Sequence, residues 1–307
     1  MSWGTVISAP EAPSGEFLAL LRQSYMGHRV ARQPSDGQRE QEARRWGIPL
    51  IAGNGSWQLE HPERAWDLPT LASALQLGEE EIGIWPLCDS SNTRLLAESH
   101  LRLGLAEAQW SGHGQRGRHW HSSFGKHLYC SLVVEISAAY AQVLPVVAGL
   151  GVYQVLREQI PALWLKWPND LWIGQRKVAG LLLEGRHGAE GQRWVLGLGL
   201  NVLADPDLLP MAISLCEAGC RMTRLELLLA IIQQWRVDFA QLERSGFAAF
   251  RQRWREADRL RGKQVEFALG GERKTCQVLD IQDDGRLCID DGIQQRIVHA
   301  GEIRLHP

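Results

Sequence analysis

The chain is poor in the signals that mark exported, membrane-spanning or nucleic-acid-coating proteins. Its first residues, MSWGTVISAPEAPSGE, carry neither the basic leader nor the apolar core of a signal peptide. No apolar run approaches the ~20 residues needed to cross a bilayer. The six cysteines are Cys88, Cys130, Cys216, Cys220, Cys276 and Cys288, and no two form a C-x-x-C pair. Disulfide frameworks belong to small secreted domains, so these read as reduced thiols in a cytoplasmic protein. A formal net charge of -2 leaves no polybasic footprint for nucleic acid or anionic lipid. Internal repeats and low-complexity tracts are missing. So are a G-x-S-x-G elbow and any arguable Ser-His-Asp or Cys-His triad.

What is present is ordinary globular sequence with an unusual supply of tryptophan. Hydrophobic residues make up 45% and charged residues 22%, and there are 13 tryptophans. A chain of 307 residues can bury a sizeable core in two or three domains. The pattern separates into residues 1–80, 81–258 and 259–307. In the first, Phe17–Arg22 is a short apolar segment and Arg39–Trp46 a charged helical stretch stopped by Gly47. Pro49–Leu59 places Asn54-Gly55 between apolar flanks, a strong hairpin signal, and Leu68–Leu77 reads as a helix. Between Gln23 and Trp46, with Pro34 and Gly37 in the way, there is space for one good helix and a scrap of another. The expectation is a small, degenerate winged-helix-like unit.

Residues 81–258 alternate strand and helix signals. Strands are predicted at Ile82–Leu87, Leu128–Ile136, Leu163–Trp167, Leu171–Ile173, Val178–Leu183 and Trp194–Val202. Helices are predicted at Asn92–Leu103, Pro145–Gln159 and Arg224–Leu242, the last opened by the capping box Thr223-Arg-Leu-Glu226. Hairpin-joined strands around helices indicate α+β. Residues 259–307 carry four short β runs, Gln264–Leu269, Lys274–Ile281, Arg286–Ile289 and Gln295–Val298. Turn signals at Gly270-Gly271, Asp283-Asp284-Gly285 and Asp290-Asp291-Gly292 separate them, as in a small β-barrel.

Five constellations can carry chemistry. Asp89-Ser90-Ser91-Asn92 lies between a strand and a helix, where hydroxyls bind a polar ligand or simply cap the helix. Gln109-Trp-Ser-Gly112-His113-Gly114-Gln115-Arg116-Gly-Arg118-His-Trp120 alternates glycine with polar and basic residues. Such a loop can wrap a phosphate; the plainer reading is a solvated basic turn, and neither Walker nor Rossmann spacing is present. Lys166-Trp-Pro-Asn169-Asp170, followed by Arg176-Lys177-Val-Ala-Gly180, presents two lysines beside a rigid aromatic turn. A lysine is a point charge suited to a carboxylate or phosphate oxygen, and pairing of Lys166 with Asp170 explains only part of so polar a string. Gly197-Leu-Gly199-Leu-Asn201 alternates glycine along a strand, the mark of a closely approaching ligand or of tight packing. His113, His119, His121 and His127 cluster in one stretch, but no cysteine or carboxylate spacing accompanies them, so no metal site is assigned.

In order and spacing these segments together resemble the bacterial biotin protein ligases, a group whose members often double as the repressor of biotin synthesis. Asp89-Ser-Ser-Asn92, Gly112-x-Gly-x-Arg-Gly-Arg-x-Trp120, Lys166-Trp-Pro-Asn-Asp170, Arg176-Lys-Val-Ala-Gly180 and Gly197-Leu-Gly-Leu-Asn201 carry the resemblance, which covers about residues 82–305. It implies a central domain like that of class II aminoacyl-tRNA synthetases and a C-terminal SH3-like barrel. It implies activation of biotin by ATP and Mg²⁺ to biotinyl-AMP, then transfer to a lysine of the biotin carboxyl carrier protein of acetyl-CoA carboxylase. It assigns Ser90, Ser91, Asn92, Gln109, Gly112 and Gly180 to biotin, with Lys177 at its carboxylate. His113, Gly114, Gln115, Arg116, Arg118, Trp120, Asn169 and Asn201 fall to the adenylate. Lys177, Asp170, Lys166 and Arg116 become catalytic, with Asp170 the candidate base for the incoming lysine. Relatives form homodimers.

Two departures stand out. The family loop usually reads Gly-Arg-Gly-Arg-Arg-Gly-Arg; here His113 and Gln115 replace two arginines, the second tied in the family to retaining the adenylate. Either Arg116 compensates or the enzyme leaks biotinyl-AMP. Leu203–Ile213 is short and has no tryptophan to stack on adenine, so a differently built lid is expected. Two other functions compete. A biotin-responsive repressor needs a recognition helix in residues 15–46, where Arg39, Arg44 and Arg45 are offset by Glu40 and Glu42, which argues against DNA binding. A lipoate ligase or octanoyltransferase shares the catalytic fold, but Lys166–Asp170 and the C-terminal barrel argue against it.

Overall fold

The computed structural model describes residues 12–25, 30–31, 36–53, 56–60, 66–188, 191–269, 272–298 and 303–305. Pro34 and the expected turns Asn54-Gly55 and Gly270-Gly271 lie outside those residues. The chain divides into two compact units, residues 1–134 with 184–208, and residues 135–183 with 209–307.

The first unit begins with two helices, α1 (Gly15–Tyr25) and α2 (Asp36–Arg45). The first, expected only as the short apolar segment Phe17–Arg22, is a full amphipathic helix, because Phe17, Leu20, Leu21 and Tyr25 recur on one buried stripe. Gly47, at φ 60°, follows the end of α2 in the left-handed conformation that favours glycine. Strands β1 (Val30–Ala31), β2 (Leu50–Gly53) and β3 (Ser56–Leu59) form an antiparallel sheet in the order β1-β3-β2. Helix α3 (Leu68–Leu75) follows. The buried Tyr25 hydroxyl accepts the Trp66 N–H at 2.8 Å and donates to Glu107.

Strand β4 (Ile82–Trp85) leads into α4 (Ser91–Ala97). The predicted helix over Asn92–Leu103 is corrected here: it stops at Ala97, and Leu103–Ala106 is a strand, β5, parallel to β4. The period-two run Leu101-Arg-Leu103-Gly-Leu105 decides it, since Leu101, Leu103 and Leu105 are all buried. Gly104 is required where β5 passes β4, because a Cβ there would lie 2.7 Å from the Trp85 ring. Antiparallel β6 (Leu128–Val134) and β10 (Gly191–Leu200) continue this sheet. Strand β9 (Arg176–Gly188) runs from the second unit into the first.

In the second unit β7 (Leu163–Lys166) and β8 (Asp170–Ile173) form a hairpin, and β8 pairs with the first part of β9. The mixed sheet reads β4-β5-β6-β10-β9-β8-β7. Helix α5 (Leu144–Leu156) is buried nearly all round. It receives α6 (Arg224–Ser245), whose Trp235 indole donates to the Ala148 carbonyl at 2.8 Å. The capping box forms as expected, Thr223 and Glu226 each taking the other's backbone N–H at 3.2 and 2.7 Å. A helix that sequence reading missed, α7 (Arg251–Ala257), is tied to α6 by Arg253, which holds the buried Asp238 at 2.8 and 2.9 Å. The last sheet is antiparallel, β14-β13-β12-β11-β15, with β11 (Gln264–Leu269), β12 (Glu272–Ile281), β13 (Leu287–Asp290), β14 (Gln295–Val298) and β15 (Ile303–Leu305). The fifth strand, absent from the sequence expectation, pairs with β11. None of the six cysteines is in a disulfide, and no helix of the described residues is long and apolar enough to cross a membrane.

Candidate active site

In the first unit Asp89-Ser90-Ser91-Asn92 leaves β4 and opens α4. Ser90 holds the N-cap position but its side chain makes no capping bond, so helix capping does not account for this hydroxyl. Backbone bonds from Trp110 to Cys88 (3.0 Å) and from Ser111 to Asp89 (2.9 Å) lay residues 109–111 alongside. Gln109 then accepts from the Ser91 N–H and hydroxyl at 2.7 and 3.1 Å and donates to Ser122 at 3.3 Å. The Ser131 hydroxyl lies 2.7 Å from Ser91 Oγ and 2.6 Å from Asn92 Oδ1. Asn92 donates onward to Glu184 at 2.8 Å. Ser90, Ser91, Asn92, Gln109 and Ser131 are all buried. Buried polar groups persist where they are satisfied, and amides and hydroxyls without formal charge suit an uncharged, hydrogen-bonding ligand group.

Residues 112–120 close on themselves. His113 and His119 pair as a bridge, Gly114 donates to the Arg118 carbonyl at 2.8 Å, and Trp120 donates to Gly112 at 2.8 Å. Gly112 is buried so tightly against Gln109, Ser122 and Trp120 that a Cβ would come within 3.1–3.2 Å of each. The tip, Gln115–Gly117, exposes Arg116, a non-glycine residue held at φ 61°. His113 faces acceptors with both ring nitrogens, Glu184 Oε1 at 3.2 Å and the Ser111 carbonyl at 3.0 Å. Both nitrogens must then carry hydrogen, which makes the ring an imidazolium. The Glu184 hydrogen bond pushes the His113 pKa up to about 9 against the opposing effect of burial. Of the two missing loop arginines, His113 therefore still supplies a cation, and Gln115 does not.

The alternating glycines of β10 make room for side chains. A Cβ on Gly197 would lie 2.4 Å from Asn92 Oδ1, and one on Gly199 would lie 2.5 Å from the Trp120 ring. Asn201 is buried at the end of this strand. Beyond it, Asp205 gathers two histidines of the cluster, His121 and His127. Its carboxylate is 2.6 Å from Lys126 Nζ and 3.2 Å from His127 Nε2, takes the Ser123 hydroxyl, and lies 3.8 Å from His121. Burial would raise the Asp205 pKa, but hydrogen bonds from Lys126 and Ser123 outweigh it and hold it at about 2.

In the second unit the Trp167–Pro168 peptide is cis and turns β7 into β8, placing Lys166 opposite Asp170. The charged pairing falls elsewhere than Lys166 with Asp170. Asp170 holds Lys177 at 2.7 Å, and Lys166 sits 4.4 Å from the Trp172 ring centre, a cation–π contact. Asp170 is in register with Gly180, and Asn169 is buried with its amide donating to the Leu181 carbonyl. Lys177 is itself pinned by backbone bonds to Met211 and Ile213 at 2.8 and 3.0 Å. Trp167 donates to the Gly285 carbonyl at 2.8 Å, so the C-terminal sheet buttresses this turn.

Residues 88–201 match the Biotin/lipoate A/B protein ligase family, and residues 261–305 match the Biotin protein ligase C terminal domain. Over 281 residues, 86% of each chain, the sequence is 32% identical to the Bifunctional ligase/repressor BirA of Salmonella typhimurium. The chain belongs to the biotin protein ligase family. It is also 32% identical to the Biotin--[acetyl-CoA-carboxylase] ligase of Mycobacterium tuberculosis, over 65% of this chain and 77% of that one. The fold superposes on a mutant biotin protein ligase from Aquifex aeolicus in complex with biotin, with TM-score 0.64, 25% identity, and 73% of this chain and 98% of that one covered. The first family match spans the polar pocket, the loop and the Lys166–Gly180 segment, and it ends short of Asp205.

Within this family frame, sequence reading missed Ser131, Glu184 and the Asp205 cluster. Ser131 was legible as the one serine in the apolar run Leu128–Val134. Glu184 offered a weaker signal, an acid ending an apolar strand. Asp205 had none, because its partners Ser123, Lys126 and His127 lie almost 80 residues away in sequence.

Proposed function

We propose that this chain activates biotin with ATP and transfers it to a lysine of a biotin carboxyl carrier protein, that of acetyl-CoA carboxylase. One observation carries the reading: the unbroken hydrogen-bonded chain Ser131–Asn92–Glu184–His113 joins the floor of an uncharged pocket to a cationic loop. An uncharged floor suits the ureido head of biotin, and a cation tethered to it suits the phosphate that follows. Ser90, Ser91, Asn92, Gln109, Gly112 and Gly180 bind biotin, with Lys177 at its carboxylate. His113, Gly114, Gln115, Arg116, Arg118, Trp120, Asn169 and Asn201 surround the adenylate.

The biotin carboxylate attacks the α-phosphorus of ATP, forming a C–O–P anhydride as the bond to pyrophosphate breaks. Lys177 and Arg116 neutralise charge on the phosphoryl oxygens as it develops. As Lys177 turns to those oxygens it leaves Asp170, which then accepts the proton of the carrier amine while that amine attacks the acyl carbon and AMP departs. Lys166, held on Trp172, orients this turn. Among the described residues no group of three or more His, Cys, Asp or Glu could hold a metal ion, and Asp170 and Asp205 are paired with lysines. Mg²⁺ enters with ATP, carried on its phosphates as part of the substrate.

The domains follow the same reading: residues 1–80 winged-helix-like, 81–258 synthetase-like and catalytic, and 259–307 an SH3-like barrel. Helices α1 and α2 with the β2–β3 hairpin support the first, and short antiparallel strands support the last. Free thiols support a cytoplasmic setting, and homodimer formation is read directly by sedimentation. A repressor role is the second reading, favoured by the 32% identity to a bifunctional relative. Against it, Arg39 meets Glu16 at 3.3 Å and Arg44 meets Glu40 at 3.4 Å, leaving α2 little charge for phosphates. Labelled biotin incorporated into a carrier domain with ATP and Mg²⁺, suppressed by excess biotin and not by lipoate, supports the ligase. No incorporation, together with a biotin-dependent shift of operator DNA, replaces it with the repressor.

A further inference from the structure

Asp205 takes no part in the chemistry above, yet its side chain is fully buried and is approached by donors from several directions. Lys126 Nζ, His127 Nε2, the Ser123 hydroxyl and the Asp207 N–H all point at it. His127 accepts the Val202 N–H on Nδ1 at 3.2 Å, so the ring hydrogen is on Nε2, facing Asp205. Burial keeps that ring neutral, with its pKa lowered to about 4. Leu203 N–H meanwhile binds the Lys126 carbonyl at 3.0 Å. The two residues that follow Asn201 are thereby fastened to residues 126–127. A few residues upstream, the Trp120 ring fills the space above Gly199.

We propose that Asp205 is a positioning residue for the nucleotide: it staples residues 201–205 to residues 120–127 and so builds the adenylate side of the site before ATP arrives. This rests on the ligase reading. The biotin contacts are held by a network through Ser91, Gln109, Ser131 and Asn92 that touches the stapled segment through the Gln109–Ser122 hydrogen bond, whereas Asp205 is held through Ser123, Lys126 and His127, so the staple acts mainly on ATP. Loop ordering costs conformational entropy that ligand binding otherwise has to supply. A lid without a tryptophan has little stacking with which to supply it.

The test is steady-state kinetics of the full-length enzyme, with carrier labelling as the signal and ATP and biotin varied in turn. Asp205→Asn keeps the shape of the side chain and removes its charge. It raises KM for ATP about tenfold, while kcat at saturating ATP and KM for biotin stay within about twofold. Lys126→Met, at a side chain 35% exposed, moves KM for ATP the same way by a smaller factor, and it decides the matter if Asp205→Asn does not fold. An unchanged KM for ATP in a folded variant overturns the proposal. So does an equal rise in KM for biotin, or a fall in kcat alone, since either would make the cluster general scaffolding. Wild-type enzyme that labels no carrier overturns the ligase reading itself, a result separate from wild-type activity with indifferent variants.

Discussion

Two lysine–aspartate pairs of nearly equal length have different jobs. Lys177 and Asp170 lie 2.7 Å apart with side chains 30% and 24% exposed. Lys126 and Asp205 lie 2.6 Å apart, but the Asp205 side chain is wholly buried and has His127 and Ser123 as further donors. A solvated pair holds its partners by about 0–1 kcal/mol, so Lys177 can be surrendered to a reacting oxygen. A buried carboxylate ringed by donors cannot release one without leaving charge unpaired. Length alone does not separate a working ion pair from a structural one; exposure and the number of other donors do.

The two pairs part most visibly in stability. Asp205→Ala leaves Lys126, His127 and Ser123 without their common acceptor and costs about 1–3 kcal/mol in a denaturant titration. Lys177→Ala leaves the unfolding curve within about 1 kcal/mol of wild type. An equal loss in both would erase the distinction. In the adenylation half-reaction, followed by pyrophosphate release without carrier, the order reverses, and Lys177→Ala slows the step about 10²–10³-fold.

The third charged pair, His113 with Glu184, sharpens the contrast through pH. A histidine pKa raised to about 9 means that the imidazolium and its ion pair are fully present below the ordinary value near 6.5 and are lost as pH rises through about 9. Adenylation should show a basic limb near pH 9. His113→Arg removes that limb, and Glu184→Gln moves it to lower pH. A profile that His113→Arg leaves unchanged would take His113 out of the loop's electrostatics. The smallest effect belongs to Gln115, the one loop arginine without a cationic replacement. Gln115→Arg should reduce labelling of bystander proteins by escaped biotinyl-AMP several-fold, on the order of one added charged hydrogen bond. No difference in bystander labelling would mean that Arg116 already retains the adenylate.

Much of this was legible in sequence because it is local. The hairpin flanks Leu50–Gly53 and Ser56–Leu59, the capping box at Thr223, and Lys166–Asp170 followed by Arg176–Gly180 are each read within a short window. Where reading failed, local signals misled or long-range ones were missing. Residues Asn92–Leu103 looked continuously helical because the helix and the strand β5 that follows are both rich in leucine. Arg193 helps end that helix from far away in the chain, donating to the carbonyls of Leu95, Glu98, Ser99 and Leu101. The glycines of β10 announced a close approach but could not say whether ligand, Asn92 or Trp120 was approaching. The string offered Lys166 as a partner for Asp170, and the strand register does set the two opposite each other, but the lysine that Asp170 holds is Lys177, from the neighbouring strand β9.

The pair with the part-exposed aspartate is chemical, and the pair with the buried aspartate is positional. A single-turnover experiment tests this most directly, with Lys177→Ala and Lys126→Met enzymes mixed with saturating ATP, labelled biotin and a carrier domain. Lys126→Met should label the carrier at nearly the wild-type rate once ATP is saturating, while Lys177→Ala stays slow at any ATP concentration. Equal rates for the two variants, or a Lys177→Ala enzyme as fast as wild type, would contradict it.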